Sequence, residues 1–202
     1  MAKADTGESR DAIELLIEDH KRVAKLFDDF ESVDRDDANA VQELVEIACM
    51  ELQIHSILEE EIFYPAVREE LDDDDRERQD LLNEAEVEHE TVDDMVAKLQ
   101  ELEPDDAMYA AYFKVLAEYV KRHVNEEETA LFPFVQELDI DLAQLGEDMR
   151  TRREELFAEM EADEGELDEG EASGELDEDS FEAEDEEIED AQEQVDVSRT
   201  RH

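Results

Sequence analysis

Between residues 11 and 161 the apolar side chains recur every three or four positions, with no run of alternating β-branched residues and almost no glycine or proline. A chain patterned in this way buries one face of a helix and wets the other. Five helices are predicted, from about Asp11 to Ser32, Asp37 to Leu71, Asp75 to Leu102, Asp105 to Leu138 and Asp141 to Glu161. The breaks DRDD and DDDD are polar and turn-prone, and Pro104 with the acids after it suits a first helical turn. The stripes are Ile13, Leu16, Ile17, Val23, Phe27 and Phe30 in the first helix, and Val41, Val45, Ala48, Leu52, Ile62 and Ala66 in the second. They continue as Leu82, Ala85, Val92, Val96 and Leu99 in the third, and Tyr112, Leu116, Tyr119, Ala130 and Phe134 in the fourth. Short connections make neighbours antiparallel, which gives an all-α, up-down-up-down four-helix bundle. The fifth helix, with Leu142, Leu145, Met149, Leu156 and Met160, is expected to pack on its outside.

Polar residues interrupt these stripes at matching places. The gap is filled by His20 in the first helix, His55 and Glu59 in the second, His89 in the third, and His123 and Glu127 in the fourth. Counting at 1.5 Å per residue, the four histidines differ in level by about 3–9 Å, so all four rings fit one layer. They follow one another at 35, 34 and 34 residues, and each HxxxE pair is followed by proline ten residues after its histidine, in HSILEEEIFYP and HVNEEETALFP. His20 and His89 each have valine three residues on. The bundle therefore reads as two copies of one helical hairpin, with two half-sites across a pseudo-two-fold axis.

A histidine and a glutamate four apart on a helix point the same way. Two such pairs and two more imidazoles make six candidate metal ligands, and mixed nitrogen and oxygen donors suit iron or manganese better than a structural zinc. A single histidine on an apolar face is ordinarily a core residue, and a single HxxxE ordinarily a modest pair on one helix. Burying four imidazoles and two carboxylates together without partners would cost several kcal/mol.

Charge limits the rest. Residues 1–160 carry −32 and residues 161–202 carry −18, for a net −50. Such a chain repels phosphate backbones and anionic lipid surfaces, so neither nucleic acid nor membrane is an expected partner. It has no apolar run long enough to span a bilayer and no apolar secretory leader, and its one cysteine, Cys49, has no internal partner. A cytoplasmic protein, monomeric or weakly homo-oligomeric, is expected. The domain is placed at residues 1–162. Residues 163–202, with GELDE twice, have little to bury and are expected to be a disordered acidic tail. With six lysines against so much acid, a salt-rich cytoplasm is a further expectation.

The pattern His20, His55-x3-Glu59, His89, His123-x3-Glu127, with its EEEIFYP and EEETALFP flanks, resembles the hemerythrin-like proteins of the HHE cation-binding domain family over roughly residues 10–160. The resemblance implies a four-helix bundle holding two iron ions in an oxo- or hydroxo-bridged di-iron centre, with manganese as an alternative. It implies Glu59 and Glu127 as bridging carboxylates and His20, His55, His89 and His123 as terminal ligands. Oxygen-carrying members have two histidines four apart on the third helix, whereas Ala85 and Asp93 flank His89 here. They also place an aspartate five residues after the last histidine, where Glu128 stands. Glu86 or Asp93 is then a candidate substitute ligand, and Tyr119, with Tyr112, a candidate hydroxyl near the metal or an ordinary core residue. Glu60, Glu61, Glu126 and Glu128 are read as acids of the outer face.

Three functions follow from this reading. The first is a di-iron protein that binds or senses dioxygen, nitric oxide or peroxide, or handles iron. The second is an enzyme on the same centre, with peroxidase, catalase-like or ferroxidase activity. The third is a metal-free helical adaptor whose acidic tail meets basic partners.

Overall fold

The structure, a computed structural model, describes residues 10–72 and 74–171, of which 161–171 are described as helix backbone only. The expected disorder of the tail beyond residue 171, and His202, lie outside the described residues. Of the described residues, those up to 163 form one compact unit and 164–171 fall in a second.

The described residues are helical without strands. In order they form α1 (Ala12–Ser32), α2 (Ala38–Leu58), a π-helical turn π1 (Glu59–Phe63), α3 (Tyr64–Glu69), α4 (Arg76–Gln100), α5 (Ala107–Glu126), a second turn π2 (Glu127–Leu131), α6 (Phe132–Val135) and α7 (Leu142–Glu171). The segments α2–π1–α3 and α5–π2–α6 are each continuous and correspond to the second and fourth expected helices.

Aspartate starts every main helix, because its carboxylate accepts a backbone N–H that the first turn would leave unpaired. Asp11 makes a full capping box with Glu14, and Asp37, Asp75 and Asp106 accept from Ala40, Arg78 and Met108. Asp141 accepts from Gln144 in the same way. Pro104 differs from expectation: it sits in the turn before α5, which begins only after the Asp106 cap. The acidic segment also differs, since residues 163–171 are helical rather than irregular. Helix propagation adds a bond per residue, and Glu164, Glu166, Leu167, Glu169 and Glu171 favour it against Gly165 and Gly170.

α1 packs on α2 and α5, and α4 on α5 and α2, which closes a four-helix ring. The core falls into two clusters. One holds Val23, Phe27, Phe30, Leu52, Val92, Phe113 and Val120. The other holds Ile13, Leu16, Leu58, Phe63, Tyr64, Leu131 and Phe132, and is covered by Met149 and Leu156 of α7. The histidine layer lies between them in the chain order of every helix.

The two π turns correct the stripes. Past Glu59 the buried residues are Phe63, Tyr64 and Val67, while the expected Ile62 and Ala66 are only half-buried. Past Glu127 they are Leu131, Phe132 and Val135, while Ala130 is exposed and Phe134 half-buried. A π turn bonds residue i to i+5, as Tyr64 N–H does to Glu59 O, and so moves every later side chain round by one position. Upstream on α5 the buried face is Tyr109, Phe113, Leu116, Ala117 and Val120, with Tyr112 and Tyr119 at its edge.

Candidate metal centre

The layer is built from four helices and two π turns. His20 comes from α1, His55 from the end of α2, His89 from α4 and His123 from the end of α5, and Glu59 and Glu127 each open a π turn. All six are buried. Their donor atoms converge in two sets. Glu59 Oε2 lies 3.2 Å from His55 Nε2 and 3.3 Å from His89 Nε2. Glu127 Oε2 lies 3.1 Å from His20 Nε2 and 3.4 Å from His123 Nε2. His89 Nε2 and His123 Nε2 are 3.2 Å apart. His55, Glu59, His123 and Glu127 each offer one donor atom, all within 4.8 Å of one another.

These groups fit a cation better than they fit one another. His20 Nε2, both nitrogens of His55, Glu59 Oε1 and Glu127 Oε2 are buried and make no hydrogen bond among the described residues. The four imidazole–carboxylate contacts above are close but not aligned as hydrogen bonds, while His89 Nε2 and His123 Nε2 meet as one. Inward-pointing lone pairs without donors are what a metal ion satisfies.

Three imidazoles are held from outside by a hydrogen bond between Nδ1 and a carboxylate of another helix, and the fourth, His55, has a carboxylate in charge contact only. Glu128 holds His20 at 2.9 Å, Glu60 holds His89 at 2.8 Å and Glu88 holds His123 at 2.8 Å, while Asp19 stands 3.5 Å from His55. Such a partner fixes the ring's tautomer and direction and raises its basicity. Phe132 stacks on His20 and Tyr64 on His89, with centroids 5.7 and 5.8 Å apart. Tyr64 also reaches both central carboxylates, its hydroxyl standing 3.1 Å from Glu59 Oε2 and 3.0 Å from Glu127 Oε1.

Burial and charge oppose each other inside the layer. Burial would raise the Glu59 carboxyl, yet His55 and His89 hold it well below its ordinary range. Burial would lower His55, yet Glu59 and Asp19 carry it well above 6.5. Burial opposes His89 too, and Glu59 and Glu60 push it to about 9. Burial and the two carboxylates raise the Tyr64 hydroxyl well above 10, so it stays a donor. Cys49 is pushed by burial to about 12 and is no activated thiolate.

On one side the layer faces a cavity of about 20 Å³, walled by Val23, Leu52, Val92 and Val120, one from each main helix, above the four histidines. That is space for a water or a diatomic and excludes anything much larger.

All six expected ligands are thus brought together. The other expected residues are not. Glu86 pairs with Arg68 at 2.8 Å on the surface, Asp93 is exposed, and Tyr119 packs under Arg122 at the edge of the core. A position four residues from a ligand serves the layer only if it lies on the inward face, and Asp93 does not. Of the acids read as outer-face, Glu61 pairs with Arg152 and Glu126 with Arg122, whereas Glu60 and Glu128 hold histidines. Asp19, Glu88, Tyr64 and Phe132 are site residues that the sequence pattern does not mark.

The comparisons with known proteins agree with this geometry. Residues 11–135 match the family model of the hemerythrin HHE cation binding domain. Among solved structures, a hemerythrin HHE cation binding domain-containing protein from Mycobacterium kansasii matches with a TM-score of 0.61 at 25% identity, over 73% of this chain and 87% of that one. No curated protein matches the chain. No helix among the described residues is long and apolar enough to cross a membrane. With the family model spanning both helical hairpins and every residue of the layer, the chain belongs to the hemerythrin HHE cation-binding family.

Proposed function

We propose that this chain is a non-haem di-iron protein that binds or senses a small molecule of the size of dioxygen, nitric oxide or peroxide, with manganese as the alternative metal. The supporting observation is the closed layer itself, in which buried imidazole and carboxylate atoms without hydrogen-bond partners converge beside a cavity of about 20 Å³. His55 and His89 with Glu59, and His20 and His123 with Glu127, are the residues that would hold the metal pair. Bound iron would supply electrons to an oxidising ligand and an open position to a neutral one. The protein's own part is to orient the rings through their outer carboxylates, to hold a donor at Tyr64, and to wall a small apolar space beside the layer with Val23, Leu52, Val92 and Val120.

Metal analysis and visible spectra of the full chain produced with iron test this reading. A pair of irons per chain is expected, with a spectrum that changes on anaerobic reduction and returns with air. A colourless protein with well under one iron per chain would sink the proposal.

One observation favours turnover on the same centre. α4 contributes a single imidazole to the layer, because neither Ala85 nor Asp93 is a ligand there. A metal bound there would have fewer protein donors and would supply the chemistry of peroxide or Fe(II) oxidation. Consumption of either substrate many times over per iron supports an enzyme, and a single stoichiometric event supports binding alone.

A further inference from the structure

The pseudo-two-fold of the layer fails at one place. Two of the four outer carboxylates stand on a rim open to solvent, and a third, Glu88, is buried but paired only within its own hairpin. Glu60 and Glu128 are 45% and 41% exposed, and Glu88 is tied to Arg122, an exposed residue of the same α5 that carries His123. Asp19, the partner of His55, is different. It is almost fully buried, 3% exposed, and is gripped by Arg22 of α1 and by Arg153 of α7. Both guanidiniums also face Glu51, at 3.3 and 3.5 Å, so two carboxylates and two arginines close into one network. Arg153 is itself only 19% exposed.

α7 is fixed at this register by its neighbours along the same face. Gly146 lies against the backbone of Arg10, Asp11 and Ala12, while Met149 and Leu156 are buried in the core. Arg153 stands between those two anchors and meets Asp19 at the point where Asp19 meets His55.

We propose that Arg153 is a positioning residue of the metal centre, which couples α7 to the His55 half through Asp19. Asp19 reaches His55 at 3.5 Å, longer than the other three outer contacts, and its carboxylate has oxygens enough for both arginines and the imidazole. Without Arg153 it would be held by Arg22 alone, an exposed side chain free to turn toward Glu51. The His55 ring would then lose its fixed direction, while His123, held by Glu88, would keep its own. The inference rests on the metal-centre reading for its effect on affinity, and on geometry alone for its effect on His55.

The test compares four variants of the full chain. Arg153→Met keeps the stem and loses the guanidinium. Arg153→Lys keeps a cation and covers a failure of the methionine variant to fold. Arg152→Met removes a neighbouring charge of α7 that pairs with Glu61, and Arg122→Met removes the arginine of the other half. Imidazole nitrogen resonances are read in the metal-free chain, and Fe(II) is titrated without air. Arg153→Met is expected to change the resonances of His55 and not those of His123, and to weaken Fe(II) binding about tenfold, the lower end for outer partners of metal ligands. Arg153→Lys should restore most of the loss, Arg152→Met should show none, and Arg122→Met should move His123 instead. The sign is informative, because removing a cation merely by its field would strengthen Fe(II) binding. Unchanged His55 resonances in Arg153→Met, or a loss equalled by Arg152→Met, overturn the proposal. If the wild-type chain takes up no Fe(II), the metal reading falls and takes the affinity claim with it. The resonances then still decide whether Arg153 fixes His55.

Discussion

Each imidazole of the layer has one task per nitrogen, and the sequence distributes those tasks in a regular way. Every outer carboxylate sits next to a ligand in the chain but serves a histidine of another helix. Asp19 adjoins His20 and serves His55, and Glu88 adjoins His89 and serves His123. Glu60 adjoins Glu59 and serves His89, and Glu128 adjoins Glu127 and serves His20. The six inward residues were legible because each breaks an apolar stripe. The outer four break nothing and are lost among 68 acids. Tyr64 was hidden for another reason: five residues after Glu59 is the wrong face of an α-helix and the right face of a π turn. Its paired position in the second hairpin is Phe132, so Tyr64→Phe is a substitution the fold already accommodates at the equivalent place. In the metal-free chain it removes the donor shared by Glu59 and Glu127 and is expected to destabilise by about 1–3 kcal/mol. With metal bound, the two carboxylates have another partner and the loss should shrink. Melting curves of both forms check this, and equal losses would show that the hydroxyl does not stand in for a cation.

At the scale of elements, the boundaries of α1, α2 and α4 follow from their aspartate caps, and the order of the bundle from short connections. The π turns had a visible signal that periodicity alone does not decode. Pro65 and Pro133 each follow a π turn as the second residue of the next α segment, where the regular i to i+4 ladder is already interrupted. A proline ten residues after each histidine is therefore the mark of a helix that changes its winding beside the site. The docking of α7 rests on a smaller feature. A Cβ on Gly146 would lie 2.7 Å from Arg10 O and 2.9 Å from Ala12 N, and both obstacles are backbone at the capped start of α1. Gly146→Ala must therefore push α7 away from α1. A loss of about 1–3 kcal/mol is expected, as for other overpacked contacts. At about 2–4 °C per kcal/mol for a chain of this size, thermal melting resolves it. A variant that melts with the wild type would mean that α7 is not seated on α1 as described.

Over the whole molecule, charge outweighs every other surface property. Acids outnumber bases three to one in residues 1–160, which carry −32, so most carboxylates face others of their kind. Many of the described cations are engaged in pairs on the surface, such as Lys25 with Asp29, Lys114 with Glu31 and Arg152 with Glu61 and Glu159. Salt weakens these pairs and the repulsion alike. The pairs have little to lose, since exposed ones contribute about 0–1 kcal/mol each. The repulsion has much more, because it acts among all the acids and over the full screening length. That length falls from about 30 Å at 0.01 M to about 3 Å at 1 M, from the width of the bundle to less than a side chain. The melting temperature of the full chain is therefore expected to rise steadily with KCl across this range. Asp19 and the histidine layer are buried, so metal content and visible spectrum should not change with it. A melting temperature that stays level or falls with salt would mean that the surface pairs outweigh the repulsion. A metal content that drifts with salt would mean that the layer is open to the solvent ions that its burial excludes.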